Sequence, residues 1–197
     1  MSGRGAAIPL ALAALAGLIP SAAAARSLAR EGTVAILPSA RFGSTPAGFD
    51  GGAVAPALGL SFGFKPEAAL EVAIDVGLSR AILEGAGARW EVLSVPLAVR
   101  LGWTPTPALD VRPVLHLGVG KALVAVDGPA YREHTPWVLQ ATAGVQADLS
   151  DAVGLWIDGG YLHARTEDPA LGDVDAGGVL ARAGLYFRFE PLPARPF

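Results

Sequence analysis

From Gly32 onward the chain alternates large apolar residues with small or polar ones, and turn-forming residues interrupt the alternation at short intervals. A period of two places residues i, i+2 and i+4 on one face of an extended strand. A helix needs a period near 3.6, and glycine at every second position would cost roughly 1 kcal/mol each in a helix interior. Eight such segments are read, at 33–42, 54–64, 70–79, 91–103, 111–125, 137–149, 153–163 and 179–189. In the third, Leu70, Val72, Ile74, Val76 and Leu78 oppose Glu71, Ala73, Asp75, Gly77 and Ser79. In the sixth, Leu139, Ala141, Ala143, Val145 and Ala147 oppose Gln140, Thr142, Gly144, Gln146 and Asp148.

Composition narrows the reading. Hydrophobic residues make up 52% of the 197, charged residues 17%, and mean hydropathy is +0.44. That is apolar for a soluble protein, yet beyond the first 25 residues no apolar run reaches the length of about 18 that a helical membrane span needs. The 25 glycines and 16 prolines favour many short strands. A net charge of −3 excludes the basic footprint of a nucleic-acid binder. The absence of cysteine excludes disulfides and thiolate metal sites.

Residues 1–25 read as a secretory signal: Arg4 supplies the positive start, 6–19 the apolar stretch, and Ser21 to Ala25 a small-residue cleavage site. Cleavage is expected after Ala25. A short segment, 26–31, then leads into a barrel at 32–190, and a proline-rich tail follows at 191–197.

A soluble barrel, periplasmic or secreted and binding a hydrophobic ligand, would use the same alternation with its apolar face inside. Two features oppose that rival. The polar faces are mostly Gly, Ala and Ser with isolated charges, which suits the cramped interior of an eight-stranded barrel better than a water-exposed sheet. The connections also alternate in length: those at 65–69, 104–110 and 150–152 are short, and those at 43–52, 80–88, 127–136 and 166–178 are longer. Short periplasmic turns and long outer loops are the asymmetry of transmembrane barrels. On that reading Phe64, Trp103, Phe187 and Phe189 form an outward aromatic girdle at the periplasmic rim, and Phe42, Trp137 and Tyr161 one at the outer rim.

The chain thus resembles the eight-stranded bacterial outer-membrane β-barrel superfamily, which includes the OmpA transmembrane domain and OmpX- and OmpW-like proteins. The resemblance spans the mature chain and rests on pattern. Its sharpest local match is the last strand, where Arg182, Gly184, Phe187 and Phe189 fit the assembly signal of such barrels. It implies an all-β, antiparallel up-and-down barrel, a partnership with the barrel-assembly machinery during biogenesis, and contact with outer-membrane lipid and lipopolysaccharide. It also implies a monomer in the outer membrane of a Gram-negative bacterium. Superfamily members often stop at the final aromatic, whereas this chain continues to Phe197.

The inward parity of each strand selects a polar network of Glu71, Asp75, Arg100, Arg112, His116, Asp148, Asp158, Arg182 and Arg188. Four carboxylates face four arginines there, and buried charges persist only when paired and hydrogen-bonded. Asp158 is expected to meet Arg182, and Glu71 to bridge Arg100 and Arg112. Such a network either plugs the lumen or gates a narrow conduit; the width of eight strands favours a plug. Lys121 has outward parity, from where it would snorkel to lipopolysaccharide phosphates, unless a bulge turns it inward.

Catalytic strings fail on context. Gly59-Leu60-Ser61-Phe62-Gly63 matches G-x-S-x-G, but the serine lies within an alternating strand and not on a strand-to-helix elbow. Gly118-Val119-Gly120-Lys121 lacks the spacing of a phosphate loop. His116, His134 and His163 show no zinc-ligand spacing, and no cofactor is read. A lipid A-modifying enzyme would need a serine near His163 at the outer edge, and none is placed there. The acidic run Glu167, Asp168, Asp173 and Asp175 has the composition for a divalent cation, although such runs are ordinarily solvated. The role read for the chain is structural, adhesive or narrow-pore, without enzymatic activity.

Overall fold

The computed structural model describes residues 31–189 except 47, 53, 68, 86 and 106–109. The expected signal at 1–25, residues 26–30 of the leader segment, and the tail at 191–197 lie outside the described residues.

Eight strands pair with their neighbours in antiparallel order. They are β1 (Glu31–Phe42), β3 (Val54–Glu67), β4 (Leu70–Gly85), β5 (Ala88–Trp103), β6 (Val111–Asp127), β8 (Trp137–Asp148), β9 (Val153–His163) and β12 (Gly178–Phe189). Strand β12 pairs with β1, from Gly32 opposite Phe189 to Phe42 opposite Val179, so the sheet closes on itself. Short accessory strands sit in the long loops. β2 (Phe49–Gly51) pairs with β4, β7 (Arg132–His134) pairs with β6, and β10 (Arg165–Asp168) forms a hairpin with β11 (Gly172–Asp175).

Closure carries a defined stagger. Cross-strand partners lead from Lys121 through Leu97, Val76, Leu60, Ile36, Leu185, Leu155 and Ala147 to Val111. One circuit therefore returns to β6 lower by ten residues (121 − 111). Strands must tilt to close with such a stagger, and the tilt and strand number together fix a narrow bore.

The eight segments read from the alternation correspond one to one with these strands. The differences are at strand ends. Residues 80–88, expected as a long loop, instead continue β4 to Gly85 and start β5 at Ala88, with the pairing Gly85 to Ala88 closing a tight hairpin. The inward parity simply runs on through Ala81, Leu83, Trp90 and Val92, so nothing in the pairing stops the strands at Ser79. Lys65, expected in a turn, is buried on β3, whose register shifts between Phe64 and Glu67.

The apolar faces point outward. Leu117, Val99, Leu101, Leu139 and Ile157 are each more than half exposed, while Arg100, His116, Asp158 and Gln146 are buried inside. Apolar surface of this extent around the whole wall has no stable home in water. The rival soluble barrel needs the opposite orientation. Inside, the wall curves so tightly that some positions admit no side chain. A Cβ at Gly120 would run into the Leu97 carbonyl and the Ala98 backbone, and one at Gly184 into the Ile36 carbonyl.

Gly120→Val is expected to destabilise the barrel by about 1–3 kcal/mol through overpacking. It should reduce the fraction migrating as the compact, unheated species on SDS gels. Ala141→Val, on the outer wall, should leave that fraction unchanged.

Candidate functional site in the barrel interior

The inward side chains form three levels. At the end of the bore with the short turns, Arg112 donates to Asp148 at 2.8 Å and to the Tyr186 hydroxyl at 2.9 Å. Arg188 approaches the same carboxylate at 3.1 Å, and the Tyr186 hydroxyl also donates to it. Lys65 pairs with Glu31 at 3.2 Å.

The middle level is the most buried. Arg100, fully enclosed, donates through Nε to Asp75 at 3.0 Å and through Nη2 to Ser61 at 2.9 Å and Glu71 at 3.0 Å. Thr33 donates to Glu71 at 3.2 Å. On the far side of the bore, Arg182 grips its neighbour on β9, Asp158, with both nitrogens of one guanidinium edge, at 2.8 and 2.5 Å. This two-point geometry is the strong form of the ion pair. Arg182 also lies 3.7 Å from the far oxygen of Asp75, so one carboxylate links both arginines. Thr142 donates to Asp158 at 3.1 Å, and His116 Nδ1 lies 3.3 Å from the Thr142 hydroxyl. Trp156, only 1% exposed, fills the space between: Arg100 lies 4.8 Å and Arg182 5.8 Å from its ring centre, and the His116 ring 5.0 Å. Desolvated cations over an indole face are each stabilised by up to about 2 kcal/mol.

The outer level is apolar. Ala81, Leu83, Trp90, Val92, Val124, Val126, Val138 and Leu162 pack with Leu171, Val174 and Ala176, which the β10–β11 hairpin folds down into the mouth. Its inner end is held by Arg41, which donates to the Ala176 carbonyl. Its outer end is held by Asp168, whose carboxylate accepts from His134 at 3.0 Å, Arg132 at 3.3 Å, and the amides of Ala170 and Leu171 at 2.8 and 3.1 Å.

Of the network residues expected from parity, Glu71, Asp75, Arg100, Arg112, His116, Asp158 and Arg182 are buried inside, and Asp148 and Arg188 lie at the mouth beside the short turns. Asp158 meets Arg182 across β9 and β12. Glu71 does not bridge Arg100 and Arg112: it joins Arg100, while Arg112 turns toward the mouth. The girdle residues Phe42, Trp103, Trp137, Tyr161 and Phe189 are exposed outward at the two rims, with Phe64 and Phe187 on the same outer face. In the last strand Arg182 faces inward and Phe187 and Phe189 outward, with Gly184 against β1. Lys121 keeps a regular register opposite Leu97 and Trp137 and points outward, without a bulge.

Three features go beyond the residues singled out from the sequence. Trp156 shares the parity of Asp158, two residues on, and that signal suffices to place it inside. The apolar outer level follows from the same parity at Trp90 and Val92. The plunging hairpin has no alternation to announce it. The acidic run expected in a loop is this hairpin, and its carboxylates do not converge, since Asp168 turns inward while Asp173 is exposed. Ser61 of the G-x-S-x-G string accepts from Arg100 within a strand.

Removing Arg100 leaves Glu71 and Asp75 buried without their main partner. Arg100→Ala is expected to cost about 3–5 kcal/mol, read as a lowered urea midpoint in lipid vesicles. Arg188→Ala should cost far less, because Asp148 keeps Arg112. At Asp168 burial alone would raise the carboxyl, but the Ala170 amide, His134, the Leu171 amide and Arg132 more than offset it and hold it below the usual 3.8. A depressed carboxylate contributes stability in full above its ordinary value and loses it as pH falls through the folded one. Protection of the amides at 164–177, measured against their intrinsic exchange rates, should therefore stay high from neutral pH down to about 3.8 and fall below it, and Asp168→Asn should lower it already at neutral pH.

No protein-family model and no characterised protein matches the sequence. Solved structures do match. The outer membrane protein OprG of Pseudomonas aeruginosa superposes with a TM-score of 0.60 at 14% identity, over 82% of this chain and 97% of that one. A major outer membrane protein of Thermus thermophilus gives 0.54 at 15%, over 80% and 99%. The outer membrane protein AlkL gives 0.55 at 14%, over 85% and 94%. The closed antiparallel sheet, its outward apolar wall and these likenesses together establish that the chain has the fold of the eight-stranded outer-membrane β-barrel superfamily.

Proposed function

We propose that the chain is a monomeric, non-conducting barrel of a Gram-negative outer membrane, serving the envelope as a rigid structural element that presents its outer hairpins at the cell surface. One observation carries this reading: the bore is filled twice, by the Arg100–Trp156–Arg182 layer and by the apolar plug that includes Leu171 and Val174. An ion crossing the bore would have to part buried pairs at the first level and enter a dry cluster at the second, and each step strips hydration without replacing it. A cavity of about 50 Å³ beside Ser79, Pro96 and Arg182 holds a few waters at most.

Export through the signal at 1–25 and delivery to the assembly machinery through Arg182, Gly184, Phe187 and Phe189 complete the reading. Against an enzyme stand two placements. Ser61 is locked to Arg100, and His163 faces outward opposite Leu139.

Purified protein in planar bilayers should show no steady single-channel current. A large, stable conductance from the folded species is the result that defeats this reading.

A further inference from the structure

The outer wall is apolar over most of its height, and on β6 one cation interrupts it, with Leu123 and Ala125 continuing the outward row above, opposite Val95 and Leu93. On β6 the outward positions are Val111, Pro113, Leu115, Leu117 and Val119, and the next is Lys121. On the flanking strands the outward run is Leu97, Val99 and Leu101 on one side, and Leu139, Ala141, Ala143 and Val145 on the other. Ten residues of tilted strand raise Lys121 roughly 25 Å above Val111 along the barrel axis. That equals the height of about 25 Å of an apolar band in a transmembrane barrel. The ammonium therefore lies near the upper edge of such a band, level with the outer aromatic rim through its register partner Trp137.

Lys121 has no carboxylate partner among the described residues; its ammonium lies over the face of Trp137, 4.9 Å from the ring centre. Trp137 is 64% exposed and outward, opposite Lys121 in register. The other outward cation near this height on the β4–β6 wall, Arg80, is already neutralised by Glu91 at 2.6 Å. A cation left unpaired at the edge of an apolar wall, steadied by an aromatic that favours the interface, presents a site for an anion carried on a lipid. His163, outward on β9 opposite Leu139, adds a second polar ring nearby.

We infer that Lys121 and Trp137 form a docking site for a phosphate group of an outer-leaflet glycolipid of the lipid A type. The inference rests on the membrane reading of the wall and adds a residue-level lipid contact to it.

The test uses the full-length barrel in nanodiscs containing bis-phosphorylated lipid A, or the same lipid with both phosphates removed. Co-purified lipid is counted by mass spectrometry. The wild type should retain several-fold more of the phosphorylated form. Lys121→Gln should abolish that preference, Lys121→Arg should keep it, and Arg80→Gln should leave it intact. Equal retention by the wild type and Lys121→Gln, or a loss of preference in Arg80→Gln alone, overturns the site. Failure of the wild type to insert, judged by heat-modifiable mobility, would overturn the membrane reading along with it. Insertion without phosphate preference would overturn the site alone.

Discussion

Every backbone amide and carbonyl that crosses hydrocarbon must find a partner within the protein, because an unpaired group there costs several kcal/mol. The pairing of β1 with β12 meets that demand and sets everything else. Eight strands and a ten-residue stagger leave a narrow bore, and the bore dictates what can occupy its wall. Glycine at positions 120 and 184 is one outcome, since backbone from the neighbouring strand occupies the place of a side chain. Charges that must find one another within a few ångströms are another.

Those charges are held in a particular manner. Asp75 touches Arg100 on one side and Arg182 on the other, so β4, β5 and β12 are tied across the bore and not only along its wall. Trp156 lies against both guanidinium groups, in a space that paired ions alone would leave open. The outer half of the bore is filled differently, by aliphatic side chains and a folded-in hairpin, because loops above the membrane are long enough to bend back. One cylinder thus has a salt-bridged floor and a greasy lid.

Most of this architecture is legible in the alternation. Period two does not merely predict strands; it assigns each residue a side, and that is how Asp158 and Arg182 pair on sequence grounds alone. Legibility weakens where residue type is read in place of parity. Arg80 to Ala88 resembles a loop in its charge and glycine content, yet the strands run on. Parity offers Glu71 two arginines because both share its side, but side says nothing of height, and Arg112 lies toward the mouth beside Tyr186. The β10–β11 hairpin is not legible at all. Its place depends on contacts of Asp168 with His134 and Arg132, residues more than thirty positions away, which no local pattern encodes.

The joint between the earliest and latest strands has a bearing on biogenesis. Ile36 meets Leu185, so the cylinder cannot be completed until β12 has been made. A fragment lacking β12 would expose two ragged margins of unpaired peptide groups, which lipid rejects. Such a ring is therefore all or nothing: with β12 in place every margin is paired, and without it two are left bare.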